Sequence, residues 1–115
     1  MNSTKIISWN VNGIRAIIKK DFLKDIKEIN PDIICLQETK AGEEDALKAL
    51  EVMDGYHLHV NSSKARKGYS GTAILSKNKP QKIINDIGVD IHDQEGRVMF
   101  FENDDFNLVN VYVPN

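Results

Sequence analysis

A disulfide framework is excluded at the outset, because the chain has a single cysteine, Cys35, set in the apolar run Ile33-Ile34-Cys35-Leu36. A lone thiol in such a run suits a small core residue in a reducing compartment. No apolar stretch is long enough to cross a bilayer, and Met1-Asn2-Ser3-Thr4-Lys5 lacks the basic start and long apolar core of a secretion signal. An intracellular, cytoplasmic protein with access to a nucleoid or nucleus is expected, with no membrane partner. Excess charge is also absent: 15 basic against 17 acidic residues leave a net charge of -2, so there is no global basic field and any nucleic-acid contact must be local. Repeats, linkers and low-complexity tracts are missing, and 115 residues leave room for one modest core, hence one domain or part of one. His57, His59 and His92 lack the spacing and neighbouring carboxylates of a zinc site or triad, and no serine stands in a Gly-x-Ser-x-Gly turn.

What is present alternates between strand and helix patterns. Lys5 to Asn10 predicts a strand; extended to Asn12, it would put Ile7, Trp9 and Val11 on one face and Asn10 and Asn12 on the other. Ile14, Ile17, Ile18, Phe22, Ile26 and Ile29 recur at helical spacing, predicting one amphipathic helix over 14–29 that stops at Asn30-Pro31-Asp32. Ile33 to Gln37 follows as a strand buried on both faces. A second helix is expected over Glu43 to Met53, with its acidic residues at the N-terminal end. Tyr56 to Val60 and Thr72 to Ser76 read as strands around the polar loop Asn61 to Gly71, whose Lys64, Arg66 and Lys67 form the local basic patch. A weaker strand over Ile83 to Val89 precedes Arg97 to Glu102, which pairs with Phe106 to Val113 through Asn103-Asp104-Asp105. The order predicts a mixed α/β sheet layered with helices.

Glu38 directly follows an apolar strand, and in open α/β sheets functional groups gather at such carboxyl ends. Asn10 ends the first strand, so the two converge on one rim if their strands are parallel neighbours. A carboxylate suits a hard cation such as magnesium, and neutral amides can orient it or donate to phosphate. Tyr112 and Asn115 close the last strand with a phenol and an amide, both able to donate to a phosphate, although Tyr112 also fits a half-buried strand aromatic. In Gly68-Tyr69-Ser70-Gly71, glycine lets backbone approach a ligand and Tyr69 offers a flat face and a hydroxyl; a flexible hairpin loop is the plainer alternative.

Four segments, Ile7-Ser8-Trp9-Asn10-Val11-Asn12-Gly13-Ile14-Arg15-Ala16, Leu36-Gln37-Glu38-Thr39-Lys40, Gly68-Tyr69-Ser70-Gly71 and Val111-Tyr112-Val113-Pro114-Asn115, occur in order. Together they resemble the exonuclease III family of apurinic/apyrimidinic endonucleases, within the endonuclease/exonuclease/phosphatase superfamily. The resemblance implies a magnesium-dependent DNA phosphodiesterase, with manganese as a plausible substitute, that cleaves the backbone at abasic sites and works on 3' ends. It implies Glu38 as metal ligand supported by Asn10, with Asn12 beside them, and Tyr112 and Asn115 as holders of the scissile phosphate. Arg15, Gly68 and Tyr69 match DNA-contacting positions, and Lys40 steadies nearby polar groups.

The family adds a later Asp-x-Asn motif, whose aspartate activates water, and a Ser-Asp-His motif, whose histidine stabilises charge; neither follows Asn115. Residues 1–115 are therefore expected to be the N-terminal half of the catalytic domain. The fold implied is α/β, half of a four-layer sandwich, here one mixed sheet with its helices and one apolar face uncovered. The missing half, or self-association, would cover that face, and the chain alone would be inactive. Other readings are another phosphodiesterase or phosphatase of the superfamily, and a noncatalytic DNA- or protein-binding module; Lys40 and Gly68-Tyr69-Ser70-Gly71 favour the DNA-repair branch.

Overall fold

A computed structural model describes residues 3–90 and 92–114. Seven strands and three helices occur among them in the order β1 (Ile6–Asn10), α1 (Ile14–Ile18), α2 (Phe22–Ile29), β2 (Ile33–Gln37), α3 (Glu43–Leu50), β3 (His57–Asn61), β4 (Thr72–Ser76), β5 (Lys82–Asn85), β6 (Val98–Glu102), β7 (Asn107–Val111). The strands form two sheets, a mixed one in the order β1-β2-β4-β3 and an antiparallel one in the order β5-β6-β7. The expected mixed sheet with helices is present, but the expectation of a single sheet is corrected.

The physical reason lies in β2. Its Ile34 and Leu36 join Ile14, Phe22, Ile26 and Leu50 in a core under the helices. Its Ile33 and Cys35 face the other way and pack with Ile74, Met99 and Phe101 between the sheets. An uninterrupted apolar run therefore reads as alternation between two cores, and the second sheet covers the face that was expected to be bare. Burial of each large side chain such as Phe101 contributes roughly 1.5–3 kcal/mol.

Part of the apolar surface left over lies on the outside of the second sheet, apart from single exposed residues such as Ile6, Ile29 and Val52 elsewhere. Ile84 pairs with Phe100, and Phe100 with Val109, so these three form one cross-strand row. Ile84 and Val109 remain 41% and 53% exposed.

Several boundaries differ from expectation: the helix expected over Glu43 to Met53 ends at Leu50, the strand expected over Phe106 to Val113 spans Asn107–Val111, and two larger differences have a clear local cause. The helix predicted over 14–29 is divided, because Lys19 and Lys20 donate three residues back, to Ala16 O and Ile17 O, and tighten the turn before α2 begins. Apolar spacing runs on across this break, since both helices face the same core. The strand predicted over 83–89 ends at Asn85, where Asp86 adopts a left-handed φ of 77°. At the end of α2, Asn30 takes the left-handed C-cap conformation and donates to Ile26 O, so the helix stops where expected but through an asparagine cap and not through extended backbone before Pro31.

Candidate active site

β1 and β2 are parallel neighbours with Asn10 opposite Gln37, so the loops that follow them leave the sheet side by side. Gly13 N donates to Glu38 O and Ile14 N to Thr39 O, at 2.9 and 2.8 Å. Thr39 N and Lys40 N donate in turn to Gly71 O and Ser70 O, at 3.2 and 2.8 Å. Three of the sequence segments are thus tied into one rim. Gly71 has a φ of 93°, and a Cβ there would run into the Thr39 side chain, so the glycine also permits the close approach.

The rim is built from strained backbone. Asn12, Glu38, Lys40 and Ser70 all have left-handed φ, between 48° and 60°, which for a non-glycine residue costs of order 1–3 kcal/mol and persists only where surroundings enforce it. Asn12 therefore does not continue β1 as an extended residue. Its turn instead lets its backbone N–H donate to Asn10 Oδ1 at 3.0 Å.

Glu38 stands at the centre. Asn10 Nδ2 donates to its Oε2 at 2.9 Å, and Lys40 Nζ lies 3.2 Å from its Oε1. Lys40 Nζ also donates to Asn12 Oδ1 at 2.7 Å. The Asn10 hydrogen bond, followed by Lys40 and the Tyr112 hydroxyl, holds the Glu38 carboxyl below its ordinary value against the opposing effect of burial. With its side chain 19% exposed, this is an ionised carboxylate that a small solute can still reach.

Tyr112 lies just past β7, where its N–H donates to Arg97 O at 2.8 Å. The Arg97 guanidinium lies 5.0 Å from the Tyr112 ring centroid and 5.9 Å from that of Tyr69. It also donates to Tyr69 Oη at 3.3 Å and to Glu95 Oε1 at 2.9 Å. Sequence reasoning treated Arg97 only as the start of a strand. The expected three-residue turn set Arg97 opposite Val111; the observed register pairs Glu102 with Asn107 and Val98 with Val111, which brings Arg97 opposite Tyr112.

Arg15 sits beside the same rim, donating to Lys40 O at 3.1 Å and lying 3.7 Å from Asp45. Gly68 and Tyr69 are exposed, and a Cβ on Gly68 would sit 3.9 Å from Lys40 O. The nearby basic patch is smaller than expected, because Lys64 is paired with Asp86 at 2.5 Å, leaving Arg66 and Lys67 as its cations without an ion pair among the described residues. Asn10, Asn12, Arg15, Glu38, Lys40, Gly68, Tyr69 and Tyr112 thus belong to one connected region. Asn115 lies outside the described residues. His57 and His59 are on β3, at the sheet edge opposite β1. No group of three or more His, Cys, Asp or Glu residues able to hold a metal occurs among the described residues.

An exodeoxyribonuclease of Bacillus subtilis is 51% identical over 112 residues, covering 96% of this chain and 43% of its own length. A DNA-(apurinic or apyrimidinic site) endonuclease of Dictyostelium discoideum is 43% identical over 114 residues, covering 99% of this chain and 31% of its own. The chain therefore spans less than half the length of these relatives. An AP endonuclease structure from Archaeoglobus fulgidus superposes with a TM-score of 0.83 at 31% identity, over 97% of this chain and 42% of that one. Nucleases and phosphatases of this type imply a divalent metal. The family model described as Endonuclease/Exonuclease/phosphatase family matches residues 7–115, and with the fold shared as well, the chain belongs to that family.

Proposed function

We propose that residues 1–115 form the N-terminal half of a catalytic domain that hydrolyses the DNA backbone at abasic sites and acts on 3' ends, with magnesium as the metal and manganese as a substitute. The observation that carries this reading is the ionised Glu38 carboxylate held by Asn10 and Lys40 beside Tyr112. The names of the relatives, an exodeoxyribonuclease and endonucleases of abasic sites, supply the substrate class.

The residues fit a magnesium ion. Glu38, supported by Asn10 with Asn12 beside them, is a hard donor, and one carboxylate suffices because magnesium keeps several of its waters. When bound, such an ion would polarise a phosphate oxygen and offset charge in the transition state. Asn10 orients the carboxylate, and Lys40 ties Asn12 to Glu38. The Tyr112 hydroxyl and the Asn115 amide donate to the scissile phosphate. Arg15, Gly68 and Tyr69 hold the duplex, Arg15 through a phosphate and Tyr69 through its ring and hydroxyl.

None of these groups is placed as a base for water, since Glu38 is engaged on both oxygens and held ionised by donors. The remainder of the domain supplies that base, and also covers the row Ile84, Phe100 and Val109; without it the chain associates with itself through this face. An intracellular location follows from the substrate.

The chain should therefore bind abasic duplex in magnesium, as read by fluorescence anisotropy, without cutting it. The parent domain should cut, and Glu38→Gln should lower its rate at least about 100-fold by removing charge that acts in the transition state. Robust incision by the purified monomer, or a parent rate indifferent to Glu38→Gln, would overturn the assignment.

A further inference from the structure

We infer that Asn110 is a positioning residue, whose buried amide clamps the strand bearing Tyr112 to the strand bearing Glu38. Asn110 lies on β7 between the sheets and is 2% exposed. Its neighbours in that layer, among them Cys35, Ile74 and Met99, are apolar. A buried amide is unfavourable there unless its hydrogen-bonding groups are met, and all of them are. Nδ2 donates to Leu36 O at 3.0 Å and to Ala73 O at 2.9 Å. Each carbonyl has a second lone pair with which to accept such a bond beyond its place in the sheet ladder. Oδ1 accepts from Gln37 Nε2 at 2.8 Å, and Gln37 also donates to Ser8 Oγ at 2.9 Å. One side chain thus ties β7 to β2 and β4, and through Gln37 to β1.

The direction of these bonds matters more than their number. Apolar packing is non-directional, so Met99 and Cys35 would tolerate the sheets sliding by a fraction of an ångström. Three hydrogen bonds to fixed backbone and to Gln37 would not, because their strength falls steeply with distance and angle. Gln37 immediately precedes Glu38. Asn110 precedes Tyr112 by two residues, about 7 Å at the rise of an extended chain, and on the same side of the strand. The Gln37–Asn110 bond therefore sets the spacing between the carboxylate and the phenol. The catalytic meaning of that spacing rests on the proposed role of Tyr112, whereas the clamp itself does not.

The test uses the 115-residue chain without DNA or metal, so its outcome is independent of whether the parent is a nuclease. Tyrosines are labelled at Cζ with carbon-13, and the signals of Tyr56, Tyr69 and Tyr112 are assigned by Tyr→Phe variants. Glu38→Gln should shift the Tyr112 signal and leave Tyr56 in place. In an Asn110→Leu background that response should fall by more than half, in a chain still folded by circular dichroism at low temperature. Gln37→Ala, at a partly exposed position, removes only the side-chain joint and should reduce the response as well; it decides the matter if Asn110→Leu does not fold. A residue of purely structural importance would lower the melting temperature and leave the Tyr112 response whole. Folded variants with an undiminished response, or a parent chain in which Tyr112 ignores Glu38→Gln, would rule the clamp out.

Discussion

Lys40 and Glu38, both held in left-handed backbone conformations, face each other at 3.2 Å across the rim of the site. Two residues apart in sequence, they meet because the chain turns twice between β2 and α3. The ammonium also reaches Asn12, so the carboxylate is held by a cation on one oxygen and an amide on the other.

The Asn10 hydrogen bond is the largest single influence that lowers the Glu38 carboxyl, followed by the hydrogen bond and the charge of Lys40 and by Tyr112. Asn10→Ala should therefore raise the Glu38 titration midpoint toward the ordinary value of 4.5. Because the folded value is depressed, the linked stability is present above 4.5 and disappears as pH falls through the folded midpoint. Carbon-13 titration of the glutamate carboxyls, compared with Glu38→Gln, reads this directly. A midpoint unmoved by Asn10→Ala would assign the depression to Lys40 instead.

Arg97 touches both aromatic side chains of the site, and cation–π contacts of this kind contribute roughly 0.5–2 kcal/mol each. Arg97→Met should weaken DNA binding by the parent domain, because Tyr69 loses its hydrogen-bond donor and part of its support. Tyr69→Ala should also weaken it, and Arg15→Ala should in addition reduce the slope of log affinity against log salt by about one. Equal affinities for all three variants and the parent, at matched salt, would remove this face from the DNA interface.

The parallel neighbours β1 and β2, and with them the meeting of Asn10 and Glu38, were legible because strand, helix and strand in succession leave few arrangements. The second sheet was harder to see: Met99 and Phe101 alternate properly along β6, but nothing local to them says that the far side of Ile33 and Cys35 is their destination. The conditional extension of β1 to Asn12 fails at Asn12-Gly13, a pair whose turn signal was legible in the sequence and at which Asn12 adopts the left-handed conformation. Lys64 was counted with the basic patch since its partner, Asp86, lies 22 residues on, in a segment read as strand.

Burial pushes the Cys35 thiol up to about 11 from 9.0. The folded value is raised, so the stabilising contribution is complete below 9, and is lost as pH rises through the folded value near 11. Alkylation by iodoacetamide at pH 8 should be far slower in the folded chain than in urea, and the melting temperature should decline above pH 9 more in the parent than in Cys35→Ala. Equal alkylation rates in the folded and unfolded chain would contradict this burial.

Val109 ends the cross-strand row that Phe100 and Ile84 continue, on the outer strand β7, and Val109→Lys places a charge where self-association requires dry contact. Sedimentation should show the parent chain associating with rising concentration and the variant remaining monomeric. Identical behaviour of the two would mean that another surface is responsible.

Asn12, Glu38, Lys40 and Ser70 share a backbone conformation that glycine adopts at least cost. A selection that rewards only thermal robustness therefore sets the backbone gain of glycine at these positions against the interactions of the Glu38 carboxylate and the Lys40 ammonium, and where the backbone gain is larger it erases the carboxylate and its cation. Libraries ranked by resistance to heat are then biased against the function proposed for this chain, and directed evolution of the family needs a second, independent readout at these four positions.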